Sequence, residues 1–183
     1  MIMQKPMKSA FYATLILCLA VSSGAVDTFP SPKVEFSADM TMTIKQAGTP
    51  QPYVIQGKIY STKGKERREF SSFGRQTAII NDRDNDQMWT LMPDQKMVMA
   101  NEHPGARKDP ARMIQDGELK MTEMGTEKIG GQKATKYKNE STDKGDDAFS
   151  GFAWLNKQNI PVRFEGTTNE NGIHHDIEIE YAN

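Results

Sequence analysis

Paired methionines are the most distinctive candidates for chemistry in this sequence of 183 residues. Met40 and Met42 are two residues apart, as are Met97 and Met99, so on a β-strand each pair projects from one face. Methionine side chains fill irregular gaps in a core, and they also repack around variable apolar ligands. Their thioether sulfurs are in addition soft ligands that select Cu(I). Core packing, an adaptable apolar cavity and a Cu(I) site are three interpretations that this pattern leaves open.

Three aspartates form the motif that most resembles a cation site. Asp82, Asp84 and Asp86 have the spacing of the first ligands in a calcium-binding loop. Gln87 stands where such a loop needs glycine, and Pro93 stands where it needs a bidentate glutamate. The motif is therefore expected to be a solvated turn.

Residues 66–69 (ERRE) place charge on both faces of a predicted strand. Charge in that pattern is typical of an edge or rim strand protected from aggregation. Arg67 has a second interpretation, because a guanidinium at a cavity mouth binds a carboxylate or phosphate headgroup.

Histidine and nucleophile patterns indicate neither a metal site nor catalysis. His174 and His175 are adjacent, so on a strand they face opposite sides, and no feature of the sequence joins His103 to either of them. The single cysteine, Cys18, lies in an N-terminal apolar run. The G-x-S-x-G spacing is absent, and no glycine-rich phosphate loop precedes a helix. We therefore expect no enzyme activity, no metal and no cofactor.

The N-terminus has the organisation of a secretory signal. Lys5 and Lys8 precede the apolar run 11–21 (FYATLILCLAV), and the small residues 23–25 (SGA) follow it. A helix that spans a bilayer needs about 20 apolar residues, and this run is shorter. We predict a signal peptide at residues 1–25, a single domain at 26–183, and a periplasmic or secreted protein with no transmembrane anchor after cleavage. Acidic residues outnumber basic ones, which argues against a nucleic-acid partner.

Period-2 alternation predicts the elements that must position these side chains. From 33 to 45 every even residue is apolar and every odd one is polar or charged, which is typical of one long β-strand. Shorter alternating segments separated by turn residues follow to the end of the chain. Asp109-Pro110 is typical of a helix start, and 109–115 is predicted as a short helix. The predicted fold is a curved antiparallel sheet of about ten or eleven strands with this helical insert.

Four segments carry a resemblance to a known family. They are VEFSADMTMTIK (34–45), GKIYSTKGKERREF (57–70), QMWTLMPDQKMVMA (87–100) and GFAWLNKQNIPVRFEG (151–166). In this order they resemble the lipoprotein-carrier superfamily of LolA and LolB, in particular an uncharacterised branch of exported bacterial proteins. The resemblance implies an incomplete β-barrel around an apolar cavity that holds acyl chains. The carriers have an arginine in their third strand, and Arg67 is the best match to it.

The leading functional expectation is a non-catalytic periplasmic carrier or binder of a lipid or acylated ligand. The expected ligand-binding residues are Phe36, Met40, Met42, Ile59, Arg67, Trp89, Leu91, Met97, Met99, Phe152 and Trp154. One alternative is a cell-envelope module that binds a protein partner and has a packed interior. The other is a Met-rich Cu(I)-binding protein.

Overall fold

The computed structural model of the protein describes residues 25–26, 30–72, 74–85, 87–102, 117–142, 148–170 and 172–182. Twelve β-strands and one 3-10 turn (Pro93–Gln95) account for most of them. The strands are β1 (Ala25–Val26), β2 (Phe36–Gln46), β3 (Tyr53–Thr62), β4 (Lys65–Ser72), β5 (Arg75–Asp82), β6 (Gln87–Met92), β7 (Met97–Glu102), β8 (Leu119–Ile129), β9 (Gln132–Ser141), β10 (Phe149–Asn156), β11 (Pro161–Glu170) and β12 (Ile173–Ala182).

All twelve strands belong to one antiparallel sheet. Its order is β1-β8-β9-β10-β11-β12-β2-β3-β4-β5-β6-β7, so two meanders, β2 to β7 and β8 to β12, join where β12 pairs with β2. The first and last strands of this order, β1 and β7, are not paired with each other, so the sheet remains an open, incomplete barrel. The predicted fold is confirmed, and the two-residue β1 adds a strand to the expected number. The predicted helix at 109–115 lies outside the described residues.

The sheet is curved, and the concave face of a curved sheet encloses the more deeply buried side chains. Met40 and Ile59 are 3% and 1% exposed and lie on the face that also carries Tyr181. That face is therefore the concave one. We call it the inner face, and we call the opposite one the outer face.

Glycines inside strands mark places where backbones approach each other closely. A Cβ added to Gly57 on β3 would lie 2.3 Å from the carbonyl oxygen of Glu69 on β4. On β10 a Cβ at Gly151 would lie 2.3 Å from the carbonyl oxygen of Glu165. Glycine in a strand interior commonly marks such a close approach of two backbones.

The strands lie where the sequence pattern predicts them, but some of them begin or end at other residues. The long first strand begins at Phe36 rather than at residue 33. β8 is continuous from Leu119 to Ile129. Its register shifts between Glu123 and Gly125, where a bulge interrupts the pairing with β9.

Most of the buried apolar side chains lie on the inner face. The register assigns to it the buried residues Ala38, Met40, Ile59, Met88, Leu119, Met121, Tyr137, Ala153, Leu155 and Ile179.

In the described part of the chain, no helix has the length and apolar character needed to traverse a bilayer. The predicted signal peptide lies almost entirely outside the described residues, and its predicted cleavage point after Ala25 falls within β1.

Candidate ligand-binding face

The inner face carries continuous apolar rows across its central strands. One row runs through the cross-strand partners Ile179, Met42 and Ile55 on β12, β2 and β3. The next row runs through Tyr181, Met40, Gly57 and Phe70 and thereby reaches β4. Met40 is buried, whereas Met42 and Ile55 remain partly accessible. Because cross-strand partners project to the same side, these rows form one apolar surface.

An ion pair interrupts the apolar surface at β4. Arg68 Nε lies 2.7 Å from Glu66 Oε1, and the Glu66 side chain is mostly buried. Ser61 on β3 and Asn81 on β5 are the cross-strand partners of Glu66, so this corner of the inner face is polar. Burial raises the pKa of the nearby Tyr181 phenol above its ordinary value. The inner face therefore combines an apolar surface with one charged corner.

A second packed region lies on the inner face at the other end of the sheet. Met121, Tyr137 and Leu155 form a buried cluster across β8, β9 and β10. Burial, with a further contribution from Glu123, raises the pKa of the Tyr137 phenol. Beside this cluster Asn139 is buried, and its Oδ1 accepts no hydrogen bond from the residues that the structure describes. A buried amide oxygen without any donor would cost about 1–3 kcal/mol.

The aromatic rings of β10 and β11 cover a glycine on the inner face. Phe149 and Phe164 are stacked with their centroids 5.6 Å apart. A Cβ at Gly166 would meet the Phe149 ring at 2.6 Å, so the ring occupies the space that a side chain would otherwise take.

The strand register separates the predicted ligand-binding residues into two sets. The inner face carries Phe36, Met40, Met42, Ile59, Met97 and Met99. The outer face carries Arg67, Trp89, Leu91, Phe152 and Trp154. The register therefore does not bring all of the predicted residues together on one face of the sheet. Whether the inner set binds a ligand stays a prediction.

Arg67 illustrates the difference most clearly. Its cross-strand partners are Tyr60 and Ile80, and all three side chains are on the outer face. Arg67 Nε donates to Glu69 Oε1 at 2.6 Å. Its neighbour Arg68 is the arginine of this strand on the inner face. The sequence could not distinguish the two, because both faces of β4 carry charge.

Trp154 and Phe152 belong to an outer-face cluster with charged neighbours. Trp154 is only 3% exposed, and its indole Nε1 donates a hydrogen bond to the Glu127 carboxylate. Lys136 Nζ lies 4.3 Å from the Phe152 ring centroid and 4.8 Å from that of Trp154, which are cation–π distances. These aromatics are thus satisfied by packing and polar contacts on the face opposite Met40.

Two pockets formed by described residues are grooves on the outer face. One, of about 350 Å³, lies across β2, β12, β11 and β10 and includes the side chains of Thr43, Lys45, Glu165 and Asp176. The other, of about 380 Å³, lies across β2 to β5 and includes Lys58 and Arg67. Their charged side chains set them apart from the apolar rows of the inner face.

The aspartate motif has a structural role at Asp82. This residue is buried, its carboxylate lies 3.0 Å from Lys65 Nζ, and it accepts hydrogen bonds from the Asn85 backbone and side chain. The expected solvated turn is therefore wrong for Asp82, while Asp84 is exposed and Asp86 lies outside the described residues. Among the residues that are described, no three His, Cys, Asp or Glu side chains are grouped as metal ligands would be.

The two methionine pairs lie on the same face but on distant strands. β2 carries Met40 and Met42, β7 carries Met97 and Met99, and four strands lie between β2 and β7 in the sheet order. Met97 and Met99 are among the exposed large apolar residues, whereas Met40 is buried. The pairs thus occupy different environments.

Comparison with known proteins assigns the family. Residues 36–158, more than half of the chain, match the profile of DUF4412, described as a domain of unknown function. The chain therefore belongs to the DUF4412 family. No curated protein shows significant similarity to it.

Solved structures similar to the chain include a LolA superfamily protein from Nitrosomonas europaea, with 12% identity, coverage of 86% of this chain and 88% of that one, and a TM-score of 0.41. The lipoprotein LppX from Mycobacterium tuberculosis has 10% identity, coverage of 79% and 84%, and a TM-score of 0.41. A conserved protein from Thermus thermophilus has 11% identity, coverage of 80% and 79%, and a TM-score of 0.44. The first of these belongs to the superfamily that the sequence resembles.

Proposed function

We propose that this protein is a non-catalytic binder or carrier of lipid-like, acyl-bearing molecules, which it holds against the inner face. The observation that carries the proposal is the continuous apolar surface formed by β12, β2 and β3 on the concave side of the sheet. Met42 and Ile55 are among its partly accessible members, and they lie opposite each other on β2 and β3, so an acyl chain would contact both of them.

Burial of an acyl chain provides enough free energy for binding without further chemistry. Each buried methylene contributes about 0.8 kcal/mol, so a chain of about 15 methylenes contributes on the order of 12 kcal/mol. Association and ordering offset a large share of that gain. A dissociation constant near 1 μM corresponds to about −8 kcal/mol and is within reach. The flexible side chain of Met42 suits acyl chains of differing length.

The charged corner of the inner face is the proposed place for a ligand headgroup. Arg68 lies on the face that carries the apolar rows, so it takes the role that the sequence pattern gave to Arg67. Its guanidinium is paired with Glu66, and a carboxylate or phosphate headgroup would compete with that carboxylate for the arginine.

Export forms part of the same proposal. The N-terminal pattern supports removal of residues 1–25, which would leave a single domain at 26–183 in the periplasm or outside the cell. A lipid or an acylated ligand would be its partner there, and no nucleic acid, cofactor or catalytic step is involved.

Co-purifying molecules and two matched double variants test the proposal. The protein is purified without detergent, extracted, and its small molecules are identified by mass spectrometry; binding of a fluorescent fatty acid is then measured. Met42→Gln with Ile55→Gln changes an inner-face cross-strand pair, and Thr43→Gln with Val54→Gln changes the adjacent pair on the outer face. We expect about tenfold weaker binding for the inner pair, since lost apolar contact costs about 1–2 kcal/mol, and little change for the outer pair.

Equal binding by both double variants would contradict the proposed face, and absence of binding by the parent protein would contradict the proposed ligand class. Circular dichroism and chemical denaturation of all variants separate lost binding from lost folding.

A protein-interaction module of the cell envelope is the second candidate. It is favoured by the burial of Met40, Ile59 and Met121 on the inner face and by the position of both described grooves on the outer face. This candidate predicts no stoichiometric lipid in the extract and a protein partner whose binding is weakened by the outer pair of substitutions. The Cu(I) alternative stays a prediction, and copper retention by the purified protein tests it.

A further inference from the structure

The strand at one end of the sheet exposes apolar side chains on both of its faces. In the described part of the chain, β7 pairs with β6 and ends the sheet order. Met97 and Met99 are 45% and 46% exposed on the inner face, and Val98 is 64% exposed on the outer face. An accessible apolar edge strand is a surface to which another strand readily pairs.

Within its own six residues, β7 lacks the sequence features that usually prevent such pairing. Edge strands are commonly protected by proline, by internal lysines, or by being very short. The opposite end of the sheet is β1, which is only two residues long. β7 has six residues, MVMANE, with no proline and with its one charged residue at the last position. The two ends of the sheet thus differ in their readiness to pair.

We propose that β7 is an interface through which two copies of this protein pair edge to edge. Antiparallel pairing about a two-fold axis at Met99 places position 97 opposite 101, 98 opposite 100, and 99 opposite itself. The segment 96–102 (KMVMANE) carries a positive residue at one end and a negative residue at the other. In the antiparallel pair, residue 96 of each copy lies opposite residue 102 of the other, so a positive position faces a negative one at both ends. The strand is therefore complementary to a second copy of itself.

The pairing joins the inner faces of the two copies side by side. Cross-strand partners in an antiparallel pair project to the same side, so the Met99 side chains of both copies meet on the inner face. Met97 and Met99 then extend the apolar surface from one copy toward the other. One six-residue strand pair buries less area than a standard stable interface, so the dimer is reversible and depends on protein concentration.

Sedimentation velocity over a wide range of protein concentration tests the proposal with one variant and a matched control. Met99→Lys places two like charges at the two-fold axis, whereas Val54→Lys changes a 52% exposed residue on β3, inside the sheet. We expect the parent protein and Val54→Lys to dimerise equally. Met99→Lys should dimerise at least about tenfold more weakly, because like charges directly opposite each other are destabilising.

Oxidative cross-linking gives a second, independent measurement. The proposed mature chain, residues 26–183, contains no cysteine. In it Met99→Cys should form a disulfide-linked dimer under mild oxidation, since residue 99 faces itself across the axis, and Val54→Cys should not. A parent protein that is monomeric at every concentration, a dimer unaffected by Met99→Lys, or open-ended aggregates in place of a dimer would each overturn the proposal.

Discussion

The inner and outer faces of the sheet both carry apolar side chains, but they are stabilised in different ways. On the inner face, residues such as Met42 and Ile55 continue from strand to strand with few polar neighbours until the Glu66–Arg68 pair. On the outer face, the aromatic pair Phe152 and Trp154 lies under Lys136, and Trp154 donates to Glu127. These two outer-face aromatic residues are thus enclosed by charged side chains. This difference is why the inner face, and not the more aromatic outer cluster, is the better surface for an acyl chain.

The largest expected effect comes from truncating the inner face. Ile59 is 1% exposed on the inner face, and Val54, on the same strand, is 52% exposed on the outer face. Ile59→Ala should lower the free energy of unfolding by about 2–4 kcal/mol, because it removes buried methylenes and leaves a cavity. Val54→Ala should change it by less than about 0.5 kcal/mol. Urea denaturation measures both, and similar losses in the two variants would show that the faces do not differ in packing.

A smaller effect is expected at two strand glycines that have no room for a side chain. A Cβ at Gly57 would meet the Glu69 carbonyl oxygen at 2.3 Å, whereas at Gly166 the nearest atom belongs to the Phe149 ring. A backbone carbonyl moves only if the strands separate, while a ring edge tilts more easily. Gly57→Ala should therefore cost about 2–3 kcal/mol and Gly166→Ala about 1 kcal/mol. Thermal denaturation shows which of the two variants loses more stability. A larger loss of stability for Gly166→Ala than for Gly57→Ala would contradict the proposed cause.

The smallest effect is expected at Asp82 on the outer face, and it depends on pH. Hydrogen bonds from Asn85 and then the Lys65 ammonium hold the pKa of this carboxyl below its ordinary value of 3.8. Because the folded-state pKa is lowered, the contribution to stability is complete above the ordinary value and is lost as pH falls through the lowered one.

Asp82→Asn should lower the melting temperature at neutral pH, and the difference from the parent should shrink in acid. Asp39→Asn is the control, since the pair of Asp39 with Lys58 is exposed, with a distance of 3.5 Å, and such pairs contribute little. A difference for Asp82→Asn that stays constant with pH would show that its ion pair is not the cause.

The sequence predicted the fold well because alternation in β2 is unambiguous. Its even residues are apolar and its odd residues are polar, so the inner set Phe36, Met40 and Met42 could be recognised directly. β6 (QMWTLM) is different, since Met88 and Met92 alternate with Trp89 and Leu91 and both sets are apolar. Only the pairing register of β5 and β6 shows that Trp89 belongs to the outer face.

The same limit explains why the sequence did not assign Arg67, Phe152 and Trp154 to the outer face. Each is in a strand with chemically similar residues on both faces, and a shift of one residue exchanges the faces. Arg68 is the next residue after Arg67, so the arginine on the inner face was missed by one position. The turns and the bulge in β8 set the register, and their geometry is not determined by apolar periodicity.

Photoaffinity labelling tests the central claim most directly. A fatty acid with a diazirine near the end of its chain is bound to the purified protein and activated, and the labelled residues are identified by mass spectrometry. The account predicts labels on inner-face residues of β2, β3 and β12, with Met42 and Ile55 prominent and Thr43 and Val54 unlabelled. Labels concentrated around Phe152, in the outer groove beside Lys45 and Glu165, would contradict it.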